Sequence, residues 1–271
     1  MVKPTTKLPS VDELNLVLAK LIGTNLPKPS GASLAGHAAG LPFEDMVHNS
    51  LESAYGEQVL RQYQALNTVL LNNPQAKSGE QRTALLGSSA TQFLLKRGVA
   101  AMKEWGPDNL FDVKQDDTAE SILFDNSDCN FSGKSIYLID VKTQDISKKA
   151  QAPNIMSADK LARACVFALK DKKSMLFEII YVGIKWKKTA SSLECVDINA
   201  ISMMRIPPSE IYINWVAAQQ IQFHPFVVKQ TYSGTHEEWC KEYLIKFCGS
   251  LKDRIGKEQE RLKFFQDAIG N

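Results

Sequence analysis

Asp140 and Lys142 stand two residues apart in Leu138-Ile139-Asp140-Val141-Lys142-Thr143, a run that is otherwise apolar up to its closing threonine. Successive side chains of a strand alternate faces, so this spacing sets the carboxylate and the ammonium side by side. A buried-type strand does not give two neighbouring same-face positions to charges unless they share a task. Holding a divalent cation beside an attacking water is such a task, and the chemistry it serves is phosphodiester hydrolysis. A second carboxylate is then required. Glu120, in Thr118-Ala119-Glu120-Ser121, stands at the start of an upstream strand. Two carboxylates and the Val141 carbonyl make a hard-oxygen site suited to Mg²⁺. Such an ion polarises a phosphoryl oxygen and acidifies a bound water, while Lys142 orients that water or neutralises developing charge. Asp116, Asp117, Asp125 and Asp128 compete for the second place, and an edge-strand ion pair is the commoner explanation of an isolated Asp-x-Lys.

The elements that must position these residues follow from pattern. Ser10-Val11-Asp12-Glu13 is a capping box before the apolar positions Leu14, Val17, Leu18, Leu21 and Ile22, which predicts a helix over about 10–22. Pro42 opens a helix carrying Phe43, Met46, Val47 and Leu51, continued or followed by another to about 72, and Glu44 falls in its first turn, where it complements the dipole. Ser89 to Trp105 reads as a further helix. Ser121–Phe124 and Lys134–Thr143 read as a β-hairpin with a long loop. Ser157–Leu169 is a helix, and Met175–Trp186 and Leu193–Ile201 are β-rich runs. Pro207-Pro208 is expected to begin a helix bearing Ile211, Trp215, Ala218 and Ile221. Thr235-His236-Glu237-Glu238 is a second capping box, and its helix could reach about Ile269, interrupted at Gly249 and Gly256. The expected fold class is α/β: a small mixed β-sheet flanked by helices, in a single domain over 1–271.

Bulk properties narrow the field. The chain has 271 residues, 44% hydrophobic and 23% charged, as an ordinary globular protein does. No apolar run reaches the roughly 18 residues of a membrane span, and the N-terminus lacks a secretory apolar stretch. Five scattered cysteines without a C-x-x-C pair argue for reduced thiols in a cytoplasm, not for a disulfide framework or zinc site. The four histidines have no metal-binding spacing. Net charge is only +2, so any nucleic-acid surface must be local. Lys142, Lys148 and Lys149, and later Lys185, Lys187 and Lys188, supply two basic clusters.

Five further segments narrow the chemistry. Lys114 to Glu120, Leu138 to Thr143, Ala150-Gln151-Ala152-Pro153-Asn154-Ile155, Glu210 to Trp215 and Gln220-Ile221-Gln222-Phe223-His224 together resemble the HincII-like type II restriction endonucleases of the PD-(D/E)XK superfamily. Leu34 to Gly40 with Pro42-Phe43-Glu44, and Gly234 to Trp239, extend the similarity over roughly residues 25 to 250, in the same order. The resemblance implies a restriction-endonuclease-like core over 26–250, an N-terminal helix and arm over 1–25, and a C-terminal helix over 235–269. Asp140 and Lys142 fall on the family's catalytic Asp-x-Lys. Glu120 falls where the pattern has Asp. The extra methylene means that either the backbone compensates or the metal is held more loosely and cleavage is slower.

For recognition, the resemblance puts Gln151 on the family's minor-groove wedge, with the Ala152 backbone and Asn154 beside it. Tyr212, Asn214, Ala217, Ala218, Gln220 and Gln222 match a segment that enters the major groove. The chemistry agrees, since Asn and Gln can read adenine bidentately and Ala can meet a thymine methyl. Trp215 and Ile221 are better suited to the core. The activity implied is Mg²⁺-dependent cutting of double-stranded DNA at a short palindrome, GTYRAC or a close relative, to blunt ends. The implied state is a homodimer in a bacterial cytoplasm, with a cognate methyltransferase acting on the same site. Two other readings stay open: a repair or recombination nuclease of the same superfamily, and a DNA-binding homologue whose catalysis the Glu120 replacement has weakened.

Overall fold

A computed structural model describes residues 7–28, 37–76, 78–101, 121–124, 135–148, 152–171, 177–216 and 219–270. Glu120, Gln151, Ala217 and Ala218 of the expected site lie outside them, as do Asp116, Asp117, Asp125 and Asp128.

The centre of the molecule is set by the longest β-branched runs. Strands β4 (Ile136–Asp145) and β6 (Phe177–Lys188) pair in parallel over their full shared length, Ile136 with Phe177 through Asp145 with Trp186. A parallel pair needs a crossover, and helix α6 (Ala158–Lys170) lies between them in sequence, capped by the Ser157 hydroxyl at the Lys160 amide. Around them the other strands pair antiparallel: β3 (Ser121–Phe124) on β4 and β2 (Val59–Arg61) on β3, then β7 (Ser192–Ser202) on β6 and β1 (Asn25–Pro27) on β7. The result is a six-stranded mixed sheet in the order β1-β7-β6-β4-β3-β2.

Both faces of this sheet are covered, which explains why its central strands are apolar almost throughout. Ile139, Val141, Ile180, Val182 and Ile184 pack with α1 (Val11–Leu18) and α2 (His37–Tyr55), including Leu14, Phe43 and Val47. Ile136, Leu138, Ile179 and Tyr181 pack on the opposite face with Leu66 of α3 (Gln62–Leu71), Leu94 of α5 (Ser89–Ala101), Leu161 of α6 and Trp239 of α7 (His236–Ile269). The short helix α4 (Gly79–Ala84) precedes α5, again from a serine capping box. Each fully buried Ile or Leu contributes about 1.5–3 kcal/mol.

Several expectations are corrected. The first capping box is present, but the α-helix stops at Leu18 and tightens into a 3₁₀ turn over Ala19–Leu21. Helix α2 starts at His37, with Pro42 inside it, so Glu44 lies beyond the first turn and the dipole argument for it fails. Helix α7 runs unbroken through Gly249 and Gly256. No helix begins at Pro207-Pro208. A single 3₁₀ turn (Pro208–Glu210) leads into β8 (Tyr212–Asn214) and β9 (Gln220–Gln222), which pair with β5 (Asn154–Ser157) as a second, three-stranded sheet in the order β5-β9-β8. Its buried residues Ile213 and Ile221 are eight apart, a spacing that suits a helix face and a hairpin register alike; Ile213 pairs directly with Ile221.

Candidate active site

Asp140 sits in the middle of β4 with only 6% of its surface exposed, and the Lys142 ammonium donates to its Oδ1 at 2.6 Å. Alternation along the strand does what the spacing required, with Ile139 and Val141 turned into the apolar cluster on the other face. The ladder between β3 and β4 pairs Ser121 with Ile139, the residue immediately before Asp140. Ser121 is itself held: its hydroxyl and His48 Nδ1 on α2 share a hydrogen bond of 2.9 Å, with both residues buried. Burial first, and then the Arg61 guanidinium, drive the His48 pKa down to about 4, so the ring is neutral at ordinary pH.

Glu44 lies over the other face of the sheet. Its Oε1 would stand 3.3 Å from a Cβ placed on Gly40, and the Thr143 hydroxyl 3.8 Å from the same point. Thr143 alternates with Asp140 and Lys142, so Glu44 is on the side of β4 away from them. Among the described residues no group of three Asp, Glu, His or Cys side chains comes together as a metal cage. The Asp140 carboxylate and the strand carbonyls beside it are nonetheless hard oxygen donors, which suit a hard cation.

The small sheet brings five of the expected recognition residues, Asn154, Tyr212, Asn214, Gln220 and Gln222, to one surface. Asn154 and Tyr212 both pair with Gln222, and Asn214 and Ser157 both pair with Gln220. Paired residues share a face, so the polar positions Asn154, Tyr212, Asn214, Gln220 and Gln222 present one side while Ile213 and Ile221 are sunk in the core. The amides are linked: Asn214 Nδ2 donates to Gln222 Oε1 at 3.3 Å, and Gln222 Nε2 donates to Asn154 Oδ1 at 2.6 Å. Tyr212 is 62% exposed. Trp215 packs against the core and donates to the Ser250 hydroxyl of α7 at 2.7 Å, in keeping with its expected structural role.

A cleft of about 450 Å³ joins the two constellations: Lys142 of β4 lines it together with Ala152, Asn154, Asn214 and Gln222. Pro225 and Phe226 form another part of its wall. Sequence reasoning had not singled these two out. The signal that could have found them is Gly183, an isolated glycine in the run Ile179-Ile180-Tyr181-Val182-Gly183-Ile184, which marks a strand position where other atoms come close. The described cysteines behave as filler: Cys165, Cys195 and Cys240 are buried, and Cys248 is exposed. No helix among the described residues is long and apolar enough to cross a membrane.

Comparison with known proteins agrees with this geometry. Residues 17–267 match the family model described as restriction endonuclease HincII. The chain is 39% identical over 246 residues to the type II restriction enzyme HindII of Haemophilus influenzae, covering 91% of this chain and 92% of the relative. It is also 39% identical to the type II restriction enzyme HincII of Haemophilus influenzae, with the same coverage. Expectations of family and fold class are thereby met, and the chain belongs to the HincII family of type II restriction endonucleases.

Proposed function

We propose that the chain is a single endonuclease domain that hydrolyses double-stranded DNA at a short palindromic site, GTYRAC or a close relative, leaving blunt ends. The observation that carries this reading is the shared cleft. Lys142, which is ion-paired with Asp140, lines the same space as Asn154, Asn214 and Gln222 of the small sheet, so a duplex read by the amides would have its backbone beside Lys142. A two-stranded ribbon such as β8–β9 is of a size to enter the major groove, and its Asn and Gln side chains suit adenine. A palindrome calls for two copies related by a two-fold axis, each cutting one strand.

Asp140 and the Val141 carbonyl are the ligands proposed for Mg²⁺, with Glu120 as the second carboxylate. Glu120 adjoins Ser121, whose ladder partner Ile139 adjoins Asp140, which supports that pairing. When bound, the ion supplies Lewis acidity at the scissile phosphate and an acidified water. The protein's own part is positional and electrostatic. Burial fixes the Asp140 carboxylate, and Lys142, held against it, offers a cation where charge builds up on the phosphate. Gln151, Ala152 and Asn154 are proposed to touch the minor groove, and Tyr212, Asn214, Ala217, Ala218, Gln220 and Gln222 the major groove.

Incubating plasmid DNA with the protein in Mg²⁺ should give discrete fragments, and a chelator should stop the reaction. A smear, or preference for single strands, would favour the repair-nuclease reading. Persistent binding without any cutting would favour a weakened DNA-binding homologue.

A further inference from the structure

The β6 partner of each residue of the charged pair touches the segment that leaves the base-reading strand β9. Asp140 pairs with Tyr181, and Tyr181 meets Phe223 edge-to-face at 5.6 Å between ring centroids. Lys142 pairs with Gly183, and a Cβ on Gly183 would lie 2.6 Å from Pro225 Cβ and 3.2 Å from Phe226 Cε2. Phe223 follows Gln222 directly in the chain, and Pro225 comes two residues later. The neighbouring strand and a later residue of β6 hold the segment too. Asn199 of β7, the ladder partner of Gly183, donates from Nδ2 to the Pro225 carbonyl at 2.8 Å. The Lys185 ammonium lies 3.9 Å from the centre of the Phe226 ring.

We propose that Phe223–Phe226 is a rigid strut coupling base reading on β9 to the position of Asp140 and Lys142, with Gly183 as the positioning residue that lets it seat. The inference rests on the reading of those two residues as the cutting centre. Its physical basis is packing density. Tyr181 is 1% exposed and Phe223 4%, so a displacement of β9 cannot be absorbed by empty space and is passed to β6. From β6 it reaches β4 through the continuous parallel ladder. A mis-set β9, as on a wrong site, then disturbs the geometry of cleavage and not only the strength of binding. A simple wall would lack this property.

The test is single-turnover cleavage, with binding measured separately in Ca²⁺, on a duplex that the unmutated protein cuts. Gly183→Ala forces Pro225 away from β6. A misplacement on the ångström scale costs about a hundredfold in rate, so cleavage should slow by about that factor while binding changes little. Adding Pro225→Gly to Gly183→Ala removes the colliding atoms and should restore much of the rate. Should Gly183→Ala fail to fold, Asn199→Ala, which frees the Pro225 carbonyl, should slow cleavage more than it weakens binding. The same variants should narrow the difference in cleavage rate between the proper duplex and one with a single altered base pair. Unchanged rates in the folded variants, losses equal in binding and cleavage, or absence of rescue by Pro225→Gly would overturn the coupling alone. Absence of cutting by the unmutated protein on any duplex would overturn it together with the parent reading.

Discussion

The large sheet and the small sheet of this protein answer different demands. Strands β4 and β6 are ten and twelve residues long and buried on both faces, so that two charges at Asp140 and Lys142 stand out against apolar neighbours. Strands β8 and β9 have three residues each, in the patterns Tyr-Ile-Asn and Gln-Ile-Gln, with one isoleucine facing in and the polar pair facing out. Strand β4, which carries the proposed cutting residues, is held by hydrophobic burial. The reading surface is anchored by few side chains and keeps its polar groups accessible. On the proposed reading, chemistry that must be held still belongs to the core sheet, and selectivity that must meet a partner belongs to a thin ribbon beside it.

Substitutions should separate the two regions. Asp140→Ala in the large sheet is expected to remove cleavage altogether while DNA is still bound in Ca²⁺; retained cleavage would take Asp140 out of the site. Ile180→Ala, at a fully buried position of β6, should cost about 2–5 kcal/mol of folding stability by urea denaturation. A loss well under that would mean the central sheet repacks more easily than its burial implies. Gln222→Ala in the small sheet should leave stability nearly untouched and lower discrimination at one base pair by about 1–3 kcal/mol. A uniform loss across all sequences would make Gln222 a backbone contact instead.

A pH-dependent effect concerns His48 on α2, which shares a hydrogen bond with Ser121 of β3. Its folded pKa of about 4 lies below the usual value of about 6.5, so the unfolded chain binds more protons between these values. Stability from this group is complete above about pH 6.5 and is lost as pH falls toward 4. His48→Asn, which keeps a polar atom toward Ser121, should flatten that part of the profile. An equally steep profile in the variant would assign the acid sensitivity elsewhere.

The large sheet was legible in the sequence for the same reason that it is stable. Long apolar runs bounded by turn-formers admit few alternatives, and Ser121–Phe124, the Asp-x-Lys strand and the two later strands all lie where the pattern set them. The side-by-side placement of Asp140 and Lys142 followed from alternation alone. The small sheet was misread because Ile213 and Ile221, with Trp215 between them, carry a spacing that fits a helix, and three-residue strands are too short to establish a period of their own. The residues resembling the family's base-reading segment could be named, yet the sequence did not reveal that Asn154, Asn214 and Gln222 form one hydrogen-bonded row. Such a row depends on register between segments distant in the chain. Strand β2 escaped for a like reason: Val59–Arg61 is strand only because β3 lies beside it.

In the proposed function one cleft serves both base reading and strand cutting. Sequencing both ends of every fragment produced from a large natural DNA in Mg²⁺ tests it most directly. Blunt ends falling at the centre of one palindrome, GTYRAC or a close relative, are expected throughout. Ends scattered over unrelated sequences would contradict it.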